Sequence, residues 1–135
     1  MSELAAGRTL DEEVARRIFG VKRLYGHGGK PWDGLDLYPQ YILSGKPWRT
    51  HSIDAVTLPW FSEDRAAGWS VVERLVEIGL DVVLASVPGG WEIEVVTTEA
   101  LAQQGYAGCY VMKPTMPEAV CRAALLSFAG RKDDR

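Results

Sequence analysis

The sequence has few of the residues from which metal sites and reactive sites are usually built: two cysteines and two histidines in 135 residues. These four residues, His27, His51, Cys109 and Cys121, show no close ligand spacing and fall on different predicted elements. We therefore predict no metal site and no cofactor. Two cysteines in a cytosolic chain usually pack as small hydrophobic side chains, so both are expected to be free thiols.

Long apolar runs are also missing. The longest run is far shorter than the ~20 residues that cross a bilayer, and the first residues carry charges rather than an apolar signal stretch. We expect a cytoplasmic protein with no membrane partner. The formal net charge of −3 argues against the binding of bulk nucleic acid, because domains that bind it usually carry a strong basic excess.

The usual catalytic motifs are absent as well. The sequence has no P-loop and no dinucleotide fingerprint, and Ser44, Ser52 and Ser62 do not stand in a nucleophile-elbow setting. Glu92 and Glu94 share one face of a predicted strand and are expected to be solvated rather than to form a catalytic pair. We therefore predict no catalytic residues and expect a non-enzymatic protein.

Apolar periodicity and capping patterns predict helices at both ends of the chain and one in the middle. The first helix begins with a capping box at Thr9 and Glu12 and ends at Gly20. The second begins with Ser62 as its N-cap and ends at Gly79. The residues predicted to face the core are Leu10, Val14 and Ile18 on the first helix, Ala66, Trp69, Val72 and Val76 on the second, and Trp60 just before it.

The second half of the chain predicts an antiparallel sheet. Strands are expected at 81–87, 91–95 and 106–112, with a tight turn at Pro88-Gly89-Gly90 and one short helical turn within 97–105. A last helix over 119–128 follows a capping box at Thr115 and Glu118. The predicted fold class is α+β, with helices packed on a small antiparallel sheet in a single domain over 1–130, followed by a disordered tail at 131–135.

The long irregular segment between the first two helices, residues 22–51, differs from the rest of the chain. It contains five basic and two acidic residues, so it carries +3 while the remainder carries −6. The same window holds five of the 13 aromatic residues, together with five glycines and three prolines. Positive charge and aromatic rings are therefore concentrated in one segment of an acidic protein.

A tetrapeptide recurs in this segment, sixteen residues apart: Gly29-Lys30-Pro31-Trp32 and Gly45-Lys46-Pro47-Trp48. Each copy brings one cation and one flat ring, the groups that hold an anion beside a base. The candidate ligand-binding residues are Arg23, Tyr25, His27, Lys30, Trp32, Lys46, Trp48, Arg49 and His51. The alternative is structural, because such a tetrapeptide is also typical of a surface turn whose tryptophan anchors a long loop to the core.

Three sequence blocks stand out at the start, middle and end of the chain. They are Ala6-Gly7-Arg8 with Leu10-Asp11, Val14-Ala15 and Ile18-Phe19-Gly20; Pro59-Trp60-Phe61-Ser62-Glu63-Asp64 with Ala66-Ala67, Trp69 and Val71-Val72-Glu73-Arg74-Leu75; and Pro117-Glu118-Ala119 with Cys121-Arg122-Ala123-Ala124-Leu125. In order and spacing they resemble the phage ABA sandwich domain, a family of small proteins encoded by bacterial viruses. The resemblance implies an α/β/α-type sandwich and a phage origin, and it brings no general catalytic motif.

In similar proteins of that family the stretch between the first two blocks is often shorter, so residues 22–51 are interpreted as an insertion. The sequence thus predicts a phage accessory protein of the host cytoplasm that binds a small anionic ligand, such as a nucleotide second messenger of antiviral defence, and withholds it from its receptor. One alternative is an inhibitor that binds a host defence enzyme through the same aromatic segment. Another is a housekeeping phage protein whose insertion pairs subunits; a homo-oligomer is expected in any of these cases.

Overall fold

The computed structural model describes residues 7–50 and 52–131 and contains four helices, five strands and one short 3₁₀ turn within them. The predicted α+β class is confirmed. The tail at 131–135 is predicted to be disordered, and its residues 132–135 lie outside the described residues. The elements are α1 (Arg8–Phe19), the 3₁₀ turn (His27–Gly29), β1 (Gln40–Ile42), β2 (Ala55–Thr57), α2 (Arg65–Ile78), β3 (Asp81–Val87), β4 (Gly90–Val96), α3 (Glu99–Gln103), β5 (Cys109–Lys113) and α4 (Met116–Phe128).

The core lies between the three-stranded sheet and the long helices. Strands β3, β4 and β5 pair antiparallel in that order, and alternation along β4 turns Ile93 and Val95 inward, where both are buried. Helix α4 packs on β4 and β5, and α1 and α2 pack in turn on α4. The small side chains Ala119, Ala123 and Ala124 of α4 are fully buried, which allows neighbouring elements to approach it closely.

The opposite face of the three-stranded sheet is open to solvent. Val83, Tyr110 and Met112 are each about half exposed there, and Glu94 lies between Val83 and Tyr110 in the strand register. This alternation of buried and wet faces is what the sequence pattern of the hairpin predicts, and the solvated position expected for Glu94 is confirmed. In the described part of the chain, no helix is long and apolar enough to cross a membrane.

The buried face of α1 and the ends of both early helices agree with the sequence. Leu10, Val14 and Ile18 are at most 2% exposed, and Gly20 and Gly79 close α1 and α2 in the left-handed conformation. The short helix expected within 97–105 forms as α3, and the third strand begins at Cys109 rather than at 106. Apolar spacing was thus sufficient to place these elements.

The predicted capping boxes are wrong in their details. The N-cap of α1 is Gly7 rather than Thr9, and the N-cap of α2 is Asp64, whose carboxylate accepts a hydrogen bond from the amide of Ala67 at 2.9 Å. Ser62 is not a cap because its hydroxyl is bonded elsewhere. Thr115 does stand at the N-cap of α4, but its side chain makes no capping hydrogen bond.

The predicted core stripe of α2 is confirmed at Val72 but wrong at Ala66, Trp69 and Val76, which are exposed because the buried face is rotated about the helix axis. Its buried residues are Gly68, Val71, Val72 and Leu75, whereas Trp69 is 48% exposed. Gly68 sets this rotation: a β-carbon at that position would lie 3.0 Å from the Cα of Pro117 in α4. Because a β-carbon so close to Pro117 would be a tight contact, glycine favours this close helix approach, in which the apolar residues on its face are buried and Trp69 is turned outward. Val76 is exposed as well, and Trp60 is half-buried rather than fully in the core.

Both cysteines are free, as predicted. Cys121 is completely buried in α4, and burial raises the pKa of its thiol far above the ordinary value. Cys109 is half-buried, its pKa is also raised by burial, and its thiol lies 3.3 Å from the carbonyl oxygen of Ala123. Neither thiol is activated as a nucleophile.

Candidate functional site

The described part of residues 22–51, the segment interpreted above as an insertion, is folded rather than irregular. Strands β1 and β2 form a small antiparallel hairpin, and Tyr25 joins it by exchanging two backbone hydrogen bonds of 2.7 and 2.8 Å with Gln40. The sequence did not reveal this sheet because each of its strands has only three residues, too few for an alternating pattern. Since β2 ends at Thr57, the folded unit extends beyond the predicted boundary at residue 51.

The two Gly-Lys-Pro-Trp copies meet, but they are not equivalent. The indole ring of Trp48, from the second copy, lies directly on Gly29 of the first, where an added β-carbon would overlap it. Trp48 also packs against the ring of Tyr25 at a centroid distance of 5.3 Å. Gly45, the counterpart of Gly29, has open space around it. The duplication therefore forms an interlock in which one copy receives the tryptophan of the other.

Trp32, the tryptophan of the first copy, serves as an anchor. Its indole N–H donates a 2.8 Å hydrogen bond to the backbone oxygen of Asp36, and its ring is partly buried against the core. Lys30 beside it is exposed. Trp32 therefore fits the structural interpretation of the tetrapeptide, in which the tryptophan anchors a long loop to the core.

A groove of about 560 Å³ opens between the end of α1 and the inserted hairpin. Phe19 and Phe61 stack in parallel along one side, with ring centroids 5.1 Å apart and planes inclined by 10°. Tyr41 of β1 supplies a further ring, and burial raises the pKa of its phenol, so Tyr41 stays neutral around neutral pH. The aromatic lining of the groove therefore comes from Phe19 and Phe61, which flank the insertion, and from Tyr41 within it.

The charges along this groove have one sign. Among the described residues that line it, Lys22, Arg23 and Lys46 are basic and none is acidic. All three side chains are exposed, so they reach solvent at the mouth of the groove. The nearby carboxylate of Asp54 is occupied by the loop, accepting hydrogen bonds from the amide of Ser44 and the hydroxyl of Ser52. The groove is therefore suited to an anion that also carries a planar ring.

The structure brings together part of the predicted set of ligand-binding residues. Arg23, Tyr25 and Lys46 line the groove, and Trp48 supports it by packing on Tyr25. The residues that do not line it are His27, Lys30, Trp32 and Arg49. His51 lies outside the described residues.

Among the lining residues outside that set are three aromatic rings and one cation: Phe19, Tyr41, Phe61 and Lys22. Lys22 and Tyr41 lie within the basic aromatic segment, so its composition alone could have included them. Phe19 and Phe61 belong to the sequence blocks that flank the insertion, and their stacking brings the chain before and after the insertion together. Only the three-dimensional pairing shows that these flanking residues face the inserted hairpin.

A buried polar network lies beside the groove and joins the first two sequence blocks. The carboxylate of Asp11, which is 0% exposed, accepts hydrogen bonds from the hydroxyl and the amide of Ser62 at 2.7 and 2.8 Å. Arg8 forms an ion pair with the same carboxylate at 3.0 Å. Burial raises the pKa of Asp11, and the hydrogen bonds from Ser62 and Arg8 oppose that shift.

Arg8 uses its remaining donors to bind backbone within the insertion and just after it. Its guanidinium donates to the carbonyl oxygens of Leu37, Leu58 and Pro59 at 2.7, 2.8 and 3.0 Å. The same group lies 3.6 Å from the ring centroid of Trp60, which accounts for the half-buried position of that tryptophan. Because all three guanidinium nitrogens of Arg8 donate hydrogen bonds inside the protein, we interpret this network as stabilising the fold rather than as a ligand site.

The described residues contain no group of three or more histidine, cysteine, aspartate or glutamate side chains that could hold a metal ion. Fold and site together define a small α+β domain in which helices cover one sheet face and an inserted hairpin forms a basic, aromatic groove. The chain belongs to the phage ABA sandwich domain family, whose sequence model matches residues 12–125. The resemblance seen in the three sequence blocks is thereby confirmed.

A solved structure supports the same fold. The chain is similar to a phage protein from Bacillus cereus ATCC 14579, whose 2.0 Å crystal structure superposes with a TM-score of 0.62 at 20% sequence identity. The match covers 94% of this chain and 96% of that chain, so it includes nearly all of both proteins. No curated protein matches the chain.

Proposed function

We propose that this phage-family protein is a non-enzymatic binding protein that holds a small anionic, nucleotide-type ligand in the groove. By holding it, the protein withholds a signal of host antiviral defence from its receptor in the host cytoplasm. The observation that carries the proposal is the groove itself, in which three basic side chains and several aromatic rings occur without an acidic one. The family assignment supports the phage setting.

The chemistry of the groove fits such a ligand in two ways. A planar base stacks on aromatic side chains, and its phosphate is neutralised by lysine or arginine. Phe19 and Tyr41 provide partly exposed rings, and the buried ring of Phe61 is stacked on Phe19. The cations stand at the mouth, where a phosphate would remain partly solvated. A volume of about 560 Å³ falls within the ~300–1,000 Å³ typical of small-molecule sites.

The test is titration calorimetry against a panel of linear and cyclic nucleotides, comparing the wild type with Lys46→Glu. We expect at least one nucleotide to bind and the reversal of Lys46 to weaken it at least tenfold, since a charge-assisted hydrogen bond contributes about 1.5–3 kcal/mol and ~1.4 kcal/mol is a factor of ten. Lys30→Glu is the matched control, because it changes the same residue of the other tetrapeptide copy outside the groove. Absence of binding to the whole panel, or equal loss in both variants, contradicts the proposal.

A second candidate function, binding of a host protein, is favoured by a separate observation. The region from residue 35 to 53 presents large apolar side chains to solvent: Leu35, Leu37, Tyr38, Leu43 and Ile53, each between 58% and 102% exposed. Exposed apolar side chains in this number are typical of interaction surfaces.

We expect Leu35→Asp with Ile53→Asp, two positions that do not line the groove, to abolish capture of a stoichiometric host protein in a pull-down, while nucleotide binding in the groove persists. Both side chains are already exposed, so the change leaves the core intact. Light scattering after size exclusion identifies the remaining alternative, in which the same substitutions dissolve a homo-oligomer. If the double variant retains its partner and its oligomeric state, this surface is not the interface.

A further inference from the structure

We infer that the groove recognises its ligand by negative charge and a planar ring and does not discriminate among the bases, so that it accepts purine and pyrimidine nucleotides alike. This inference rests on the proposed function and concerns the ligand class of the same groove. It follows from the hydrogen-bonding groups that the lining offers.

Bases are told apart by the donors and acceptors on their edges. Aspartate and glutamate accept from amino groups of a base, and asparagine and glutamine pair with adenine through two hydrogen bonds. The described lining of the groove contains none of these four residue types. Lysine and arginine can pair with guanine, but the three cations of this groove are exposed at its mouth, where the proposed function places the phosphate. Its side-chain hydroxyls belong to Ser44, Ser70, Tyr25 and Tyr41, and that of Ser70 already donates to the carbonyl oxygen of Ala67. A single hydroxyl can donate or accept, so it adapts to any base edge.

The loop on one side of the groove offers a base few free backbone donors. The four consecutive amides from Leu43 to Lys46 all have acceptors within the loop, namely the backbone oxygens of Asp54 and Ile42, the carboxylate of Asp54 and the hydroxyl of Ser44. The amide of Val21, on the opposite side, donates to the carbonyl oxygen of Ala15 at 3.0 Å. These amides are engaged in the fold and are not directed at a ligand.

What remains for recognition is stacking and charge. Stacking tolerates any base, since every base presents a π-face. The charged groups Lys22, Arg23 and Lys46 are unopposed by any acidic residue of the described lining. Affinity should therefore depend strongly on phosphate and weakly on the identity of the base.

The experiment titrates the full chain with the adenine, guanine, cytosine and uracil members of whichever phosphate form, linear or cyclic, binds in the panel above. We expect the four dissociation constants to agree within about fivefold, which corresponds to less than ~1 kcal/mol. The matching nucleosides, and inorganic phosphate alone, should each bind at least tenfold more weakly than the nucleotides. Tyr41→Ala should weaken all four nucleotides by a similar factor, while Tyr38→Ala, outside the groove, should weaken none.

Preference for one base by more than tenfold overturns the inference while leaving the proposed function in place. If nucleosides bind as tightly as nucleotides, negative charge is not needed for binding, and that part of the inference is overturned. If inorganic phosphate binds as tightly as nucleotides, stacking on the aromatic rings is not needed, and that part is overturned. Failure of every nucleotide in the panel rejects the proposed function itself, so the two failures are distinguishable.

Discussion

Asp11→Ala is expected to lower the free energy of unfolding by about 3–5 kcal/mol, the cost of removing one partner of a buried ion pair. The substitution leaves the guanidinium of Arg8 without its counterion and the amide of Ser62 without its acceptor, and it leaves the hydroxyl of Ser62 only the longer bond to the backbone oxygen of Gly7, at 3.3 Å. Because all three residues are buried, water does not replace the lost oxygens. Urea unfolding followed by circular dichroism measures the loss.

Glu12→Ala is the matched control, since Glu12 is the next residue of the same helix and also pairs with an arginine. Its partner Arg16 lies 2.8 Å away, but both side chains are partly exposed, so the expected loss is about 0.3–0.5 kcal/mol. If Asp11→Ala does not fold, Asp11→Asn keeps one acceptor for Ser62 and gives a measurable intermediate value. Equal losses for Asp11→Ala and Glu12→Ala would contradict the role assigned to the buried network.

Gly29→Ala is expected to destabilise the protein by about 2–5 kcal/mol. Part of this cost, about 1–2 kcal/mol, arises because alanine disfavours the left-handed backbone that Gly29 adopts at φ 80°. The rest, about 1–3 kcal/mol, arises because the added methyl group overlaps the indole of Trp48 and forces that ring to move. The same urea titration measures it.

Gly28→Ala and Gly45→Ala are matched controls because both positions have φ near 73° and neither has a neighbouring atom where the methyl group would lie. They should incur only the backbone cost. In a Trp48→Ala background, Gly29→Ala should fall to the level of these controls, which tests the contact itself. The interlock is rejected if Gly29→Ala is no more destabilising than Gly28→Ala in the presence of Trp48.

The elements that the sequence predicted well are those in which a repeating apolar pattern faces one core. Leu10, Val14 and Ile18 lie on one face of α1 because a helix repeats every 3.6 residues, and the β3–β4 hairpin follows from simple alternation. The buried face of α2 could not be predicted in this way. It depends on Gly68 touching Pro117, a contact between residues 49 positions apart that no local pattern records.

The capping residues show the same limit for polar groups. Ser62 has the residue type of an N-cap, but the carboxylate of Asp11, 51 residues earlier, takes its hydroxyl. Asp64, two residues later, is left to cap α2. Local hydrogen-bonding preference was overridden by a tertiary partner.

For the candidate site, the amino-acid composition identified the segment of the chain that contributes to it but not how the side chains are arranged in space. The concentration of cations and rings in residues 22–51 pointed to the inserted segment, and three of its predicted residues line the groove. The tetrapeptide repeat suggested two similar half-sites, whereas Gly29 and Trp48 form one asymmetric contact. Phe19 and Phe61 were missed because their sequence neighbourhoods belong to the frame.

The buried network of Arg8, Asp11 and Ser62 also determines how the inserted segment can vary. Arg8 precedes the segment, and its hydrogen bonds to Leu58 and Pro59 hold the chain where the segment returns. Two of the hydrogen bonds that fasten these ends do not involve the segment between them, and each doubling of a flexible loop adds only ~0.6 kcal/mol of closure cost. A change in the length of the segment is therefore expected to cost the fold little, while the helices and the three-stranded sheet stay unchanged.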